Sequence, residues 1–364
     1  MKMIDPIWDV IAAWEEGQLP TSKLIVTTSP KVELMLAVAM LAAPTPGPGH
    51  YGTLDHPIAR AARARFASLA DHPAVITVRR LFCVETDLAS GFACDALTGF
   101  ILSRGEPPAM AAHYPYTESA LARADGNATV LDSLVDQLRD FYHLSRFASF
   151  WEEQAQAYQA IERRIAGYAQ EGWAGEDVVA AMEGYFGERR TAYVLVPTPM
   201  ERPAGGTMTA MGERDNYVFA CFDGTVDKGW ILHLLYHEFG HSFVNPPAGQ
   251  HGALVQRYEA LYTPLAEAMR PWGYVTWTTA LNEHILRAQN CRLRRRFFGD
   301  AAAEARLSEE EAQGFRYIRA LEAKLAEYEA QRDAYPTLVS FYPMLLTALD
   351  PFLTSSDAHG RANT

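Results

Sequence analysis

A chain of 364 residues with 49% hydrophobic side chains has ample material for a packed core, in one large domain or two modest ones, and disorder is excluded as its default state. A formal net charge of -12 excludes nucleic acid and anionic membrane as the main partner, because either needs a basic surface. No run of eighteen apolar residues occurs, and the N-terminal MKMIDPIWDVIAAWEEG has no apolar core before a small-residue cleavage site. With Cys83, Cys94, Cys221 and Cys291 scattered and no CxxC, the expectation is a soluble chain without export signal, its thiols reduced in a cytoplasm.

In chain order, residues 7 to 16 have the spacing of a short amphipathic helix, and residues 23 to 30 read as extended. Ser29-Pro30 then introduces the helical run VELMLAVAMLA, with proline in the first turn, where its missing N–H costs nothing. Residues 43 to 52, APTPGPGHYG, are a connection. Helical patterns follow over 55 to 70, 73 to 87 and 91 to 104, and a long one over 129 to 169 carries Phe141, Tyr142, Phe147, Phe150, Trp151 and Tyr158, whose density suits a core. Between Arg190 and Asp223 the runs AYVLVPTPM, TMTAMGE and NYVFACFD are β-rich and are divided by turn residues, Gly205-Gly206 among them.

Beyond the strands come a helix through residue 243 that ends at Asn245-Pro246-Pro247, a helix near 251 to 269, another over 276 to 298, and a charged one over 308 to 332. Ser308 and Glu311 have the spacing of a capping box at the start of the last. The tail from Thr354 is expected to be disordered. The fold class expected is mainly α with a small β-sheet, divided as a helical region over 1–185, a second region over 186–353 and the tail over 354–364.

The stretch ILHLLYHEFGHSF, residues 231 to 243, holds HExxH at His237, Glu238 and His241. A four-residue step sets two imidazoles on one helical face, close enough to bind one metal ion, while Glu238 lies about 100° around the helix and can address a water beside it. Trp230, Ile231, Leu232, Leu234, Leu235, Phe239 and Phe243 are distributed right round the helix, so it should be buried, where unpaired polar groups are costly and a metal would partner them. The competing reading is a structural helix whose histidines bond to backbone carbonyls.

Catalytic zinc takes three protein ligands. The metzincin pattern is excluded, since Val244 and Pro247 stand where its glycine and third histidine belong. Glu259, Glu267, His251, Glu283 and His284 remain as candidates. Glu283 lies in TWTTALNEHILRA, and an Asn-Glu pair on the helix after HExxH resembles the gluzincins, the thermolysin-like zinc metallopeptidases. That resemblance implies a zincin-like core around a buried motif helix, zinc as the cofactor, Glu283 as third ligand and Asn282 as a neighbour that orients it. The step from His241 to Glu283 is 42 residues, where this class uses about twenty, which leaves room for an extra helix and keeps Glu259 in competition. The wider chain, from SPKVELMLAVAMLA through DHPAV and FYHLSRFASFWEEQAQAY to NEHILRA, looks like an uncharacterised bacterial family with a predicted gluzincin-type domain.

The bland reading of Glu283 is a surface pair with Arg287 one turn on. His233 extends the histidine stripe, but eight residues, about 12 Å, separate it from His241. Gluzincins commonly offer a phenol or imidazole to the developing oxyanion; Tyr342 is preferred for that part over Tyr262, Tyr317 and Tyr335. Arg292, Arg294, Arg295 and Arg296 either meet a substrate carboxylate or face the acidic stretch 304 to 311. The expected function is therefore a zinc-dependent hydrolase acting on a peptide or protein, with Glu238 as its base and an edge strand to align the substrate. The rivals are a non-catalytic zinc-binding protein and a helical interaction module built on the aromatic segment 141 to 158.

Overall fold

The computed structural model describes residues 24–42, 56–82, 94–200, 207–211, 216–222 and 227–353. The expectations for 7 to 16, 43 to 52, Gly205-Gly206 and the tail lie outside these residues, as do 83 to 87 and 91 to 93. The chain is mainly helical with a small sheet, as expected. It divides into two compact units, one of residues 1–170 with 190–234 and one of residues 171–189 with 235–364. The division therefore differs from the single boundary expected at 185: the strands group with the N-terminal helices, and residues 171–189 group with the C-terminal ones.

The first unit begins with β1 (Leu24–Val26) and α1 (Pro30–Ala42), followed by α2 (Pro57–Phe66), α3 (Pro73–Phe82), α4 (Cys94–Leu102) and α5 (Glu118–Arg123). Pro30 opens α1 as expected, and the Glu106 carboxylate caps it by accepting from Ser29 Oγ and Lys31 N, both at 2.6 Å. The single helix expected over 129 to 169 is two, α6 (Ala128–Leu144) and α7 (Phe147–Glu171). Arg146 between them has φ 53°, a left-handed conformation that stops an α-helix. Phe141, Tyr142, Phe147, Phe150 and Tyr158 are buried, so this segment is core.

After α8 (Val178–Phe186) of the second unit come β2 (Ala192–Pro197), β3 (Thr207–Met211) and β4 (Asn216–Phe222), which complete the first unit's sheet in the order β1-β2-β4-β3. β1, β2 and β4 run parallel, and β3 is an antiparallel edge. Every residue of β2 is buried, as a continuous apolar run in a central parallel strand requires.

The helix α9 (Lys228–Glu238) contains the boundary between the units. The second unit continues with α10 (His241–Gln250), α11 (Gly252–Arg257), a tight turn over Glu259–Leu265, α12 (Ala266–Met269), α13 (Trp277–Phe298), α14 (Asp300–Ala312), α15 (Ile318–Ala330) and α16 (Leu338–Leu346). The helix expected near 251 to 269 is thus three short pieces, the first ending before Tyr258 and the middle one containing Pro264. The one expected over 308 to 332 is also replaced by two. Ser308 lies inside α14 and donates to the Glu304 carbonyl at 3.0 Å instead of capping, and the break falls at Gly314, φ 102°, where a Cβ would stand 2.5 Å from that of Ala268. α13 packs against α10, α14 and α15. Among the described residues no helix is long and apolar enough to cross a membrane.

Candidate metal centre

The motif lies across a helix break. Ile231, Leu232, Leu234, Leu235, Phe239 and Phe243 are buried as their all-round distribution required, while Trp230 is half-buried. The single helix expected through residue 243 is instead α9 and α10, joined at Phe239-Gly240. Ser242 N and Phe243 N bond to the carbonyls three residues back, at 3.1 and 3.0 Å, so the turn tightens without losing its direction. Pro246 and Pro247 lie inside α10 rather than ending it. His237 and His241 keep a common face, their rings 5.0 Å apart and nearly perpendicular at 86°. Gly240 permits this packing: a Cβ there would meet the Leu286 side chain of α13 at 2.5 Å and the Tyr236 carbonyl at 2.6 Å.

That close approach brings Glu283 of α13 to the histidines. Its Oε2 is 3.5 Å from Nε2 of His237, and its Oε1 is 3.2 Å from Nε2 of His241. One donor atom from each of the three lies within 4.8 Å of the other two, and among the described residues this is the group of three or more such side chains that could hold a metal ion. Glu238 is half-buried and stays outside that group. Glu259 and Glu267 are exposed and do not join it either. His284 is buried, with Nδ1 2.6 Å from the Ala280 carbonyl, its ring against Phe315 and Tyr317, and burial pushes its pKa down to about 4.

The donors fit a zinc ion chemically, since two imidazole nitrogens and one carboxylate form a catalytic zinc set. The surroundings orient them for it. Nδ1 of His241 is 3.2 Å from Asn245 Oδ1 and donates to it, so loss of the Nε2 proton would leave that nitrogen's lone pair for a metal. Nδ1 of His237 is 3.3 Å from the Asn290 amide nitrogen, while Asn290 Oδ1 is buried without a partner. With oxygen and nitrogen of that amide exchanged, which its shape permits, Asn290 would accept from Nδ1 and leave Nε2 of His237 free as well.

Glu283 does pair with Arg287, at 3.2 Å, but the pair is buried rather than at the surface. Arg287 also donates to Glu310 at 2.9 Å and to the Tyr274 phenol at 3.4 Å. The Tyr274 hydroxyl is turned to Glu283, and burial together with that carboxylate raises its pKa. Arg287 and Tyr274 thus hold the outer side of a carboxylate whose inner side faces both imidazoles.

Burial favours the neutral forms, and lowers the pKa of His237. It opposes charge on His241 too, but the hydrogen bond and charge of Glu283, with the charge of Glu238, outweigh it and lift His241 to about 9. Burial would raise Glu283, yet the two histidines hold it well below the carboxylate range. In metal-free protein, the stability from charged His241 is complete below its ordinary pKa of 6.5 and is lost as pH rises through about 9. That from Glu283 is complete above 4.5 and is lost as pH falls through its depressed value. Chelator-treated protein should therefore lose stability between pH 6.5 and 9, and His241→Ala should flatten that decline. A melting temperature that follows the same pH curve in both proteins would contradict the pairing.

Residues 48–348, which include this centre, match the family model described as a domain of unknown function (DUF4932). The chain belongs to that family. No curated protein matches it. No solved structure does so either.

The remaining candidates have other neighbours. Tyr342 is fully buried, stacked on His251 at 5.5 Å and 17°, and among the described residues its hydroxyl has no hydrogen-bond partner. Tyr262 donates to the Tyr274 carbonyl and Tyr317 to that of Leu261, while Tyr335 packs on Phe341. His233 is half-buried and outside the donor group. Arg292 and Arg295 are bound to Glu322, with Glu329 and Asp300 as further partners, Arg296 pairs with Glu176, and Arg294 lies over the Trp173 ring. The expected acidic stretch is met by Arg295, 4.0 Å from Glu304, and by Arg294, which feels the charges of Glu309 and Glu310.

Sequence reasoning missed Asn245, Asn290 and Tyr274. Asn245 is four residues after His241, and Arg287 and Asn290 are four and seven after Glu283, so helical spacing carried a signal for these. Tyr274 lies on a loop, and no periodicity marks it.

Proposed function

We propose that this chain is a zinc-dependent peptidase of the gluzincin type, which hydrolyses a peptide or protein substrate. One observation carries the reading: His237 and His241, four apart in the motif, converge with Glu283 from another helix to set three donor atoms within 4.8 Å. Zinc at such a site supplies Lewis acidity, which lowers the pKa of water and polarises a carbonyl. Glu238 lies outside the donor set and beside His241, where it takes a proton from the attacking water and returns it to the leaving nitrogen. Asn245 and Asn290 keep both Nε2 atoms available, while Arg287 and Tyr274 keep the Glu283 carboxylate directed at them. Side-chain exposures of 11% for His237 and 15% for His241 mean that the imidazoles are not wholly closed off from solvent. Tyr342 takes no part in this reading, because it is packed against His251.

A second reading also has support. Arg287 beside Glu283 makes His241, Glu283, Arg287 and Glu310 a chain of alternating charge, which is self-sufficient as a buried ionic network. Metal analysis separates the two. Protein supplied with zinc and dialysed should retain about one equivalent and cleave an unstructured protein substrate, both abolished by a chelator. Protein that stays empty would leave the ionic network as the answer.

A further inference from the structure

In the first unit, α1 is buried along its whole length except at Leu41, and Lys31 and Glu33 are its two ionisable side chains. Glu33 is fully buried, and its carboxyl joins three segments. Tyr158 of α7 donates to Oε2 at 2.6 Å, and the Thr198 hydroxyl, just beyond β2, faces the same group. Oε1 has no hydrogen-bond partner among the described residues. A buried carboxylate needs a countercharge or several donors, and the charges nearby are committed elsewhere. Lys31 precedes Glu33 by two residues, about 200° around the helix. Glu106 accepts from Ser29 Oγ and Lys31 N, and Glu162 of α7 accepts from Thr28 N and Oγ1 at 2.6 and 2.7 Å. Arg79 of α3 donates to the Ala42 carbonyl at the opposite end of α1. The helices α2, α4 and α6 also pack on α1, but no charge from them acts on Glu33.

We infer that Glu33 is a proton-operated latch: its neutral carboxyl holds the first turn of α1 against α7, and loss of the proton favours a joint open to water. A carboxylate with one oxygen unmet is not tolerated in a dry site, so local opening accommodates it. Burial lifts the pKa of Glu33 from 4.5 to about 7, and the Thr198 and Tyr158 hydroxyls offset only part of that rise. The closed joint therefore keeps its proton up to about pH 7, whereas the open one, with Glu33 in water, keeps it only to 4.5. Closure accordingly weakens as pH rises between these two values and stays weak above them. The latch is independent of the metal centre, whose three donors belong to the other unit.

Amide hydrogen exchange of the full chain tests this, read on residues 28 to 36 and 151 to 162 and corrected for the base-catalysed exchange rate itself. Between about pH 5.5 and about pH 8.5 the opening of both segments should grow about tenfold or more. Glu33→Gln keeps the shape and the partner of Tyr158 but cannot ionise, so it should remove that growth. An infrared titration of the parent needs no variant. The carbonyl stretch of a protonated carboxyl should persist above about pH 6, where exposed carboxyls are ionised, and be gone by about pH 8.5. Equal opening at both pH values, the same growth in the glutamine variant, or no protonated carboxyl above about pH 6 would each overturn the latch.

Discussion

Glu283→Ala is expected to abolish the metal centre and to weaken the metal-free fold. The substitution takes away one of three donors, and a change of this kind should reduce zinc affinity by more than the 10–100-fold typical of an outer partner. It also leaves His241 and Arg287 without the carboxylate between them, at 3.2 Å from each. Removing one partner from a buried ion pair costs about 3–5 kcal/mol, and the Arg287 bond to Glu310 offsets part of that here. Competition with a chromophoric chelator and denaturant unfolding of the metal-free protein measure the two effects. Zinc affinity equal to that of the parent would show that another residue completes the site.

On the proposed reading, Glu238→Gln should separate the base from the ligands. Because Glu238 stands outside the donor group, zinc binding should stay within a few-fold of the parent. Turnover should fall by on the order of 10²–10⁴, the usual contribution of a placed general acid–base group, since an amide cannot accept the proton. The change is nearly isosteric, so folding should be undisturbed. A variant that retains full hydrolysis would remove Glu238 as base, and one that loses zinc would make it a ligand instead.

The helix spacing of His237 and His241, the all-round burial of the motif and the extended character of β1 to β4 were legible in the chain. So was Glu283 as the partner, on the resemblance of its Asn-Glu pair. Its orientation was not: Glu283 lies roughly opposite the Leu281 face, and only a helix packed on both sides buries it. α13 is such a helix, with Leu281, Glu283, His284, Ile285, Ala288, Gln289 and Asn290 all buried. Two long helices were misread for one reason. A hydrophobic period continues across a break when both flanking segments face the same core, and left-handed Arg146 and Gly314 at φ 102° interrupt the backbone without interrupting that period. The Ser308 to Glu311 spacing fitted a capping box but fell in the middle of α14, since spacing alone cannot tell a helix start from its interior.

By itself the sequence determined what local geometry sets: two imidazoles one turn apart, a carboxylate between them, and the apolar faces that bury their helix. The tertiary structure alone decided how Glu283 reaches the histidines and which further groups surround the three donors. Glu283 is 42 positions after His241, across short helices and turns, and no local rule closes that distance. It closes because Gly240 has no side chain where Leu286 comes down, and because Arg287, Tyr274 and Asn290 meet the donors from directions that only packing specifies.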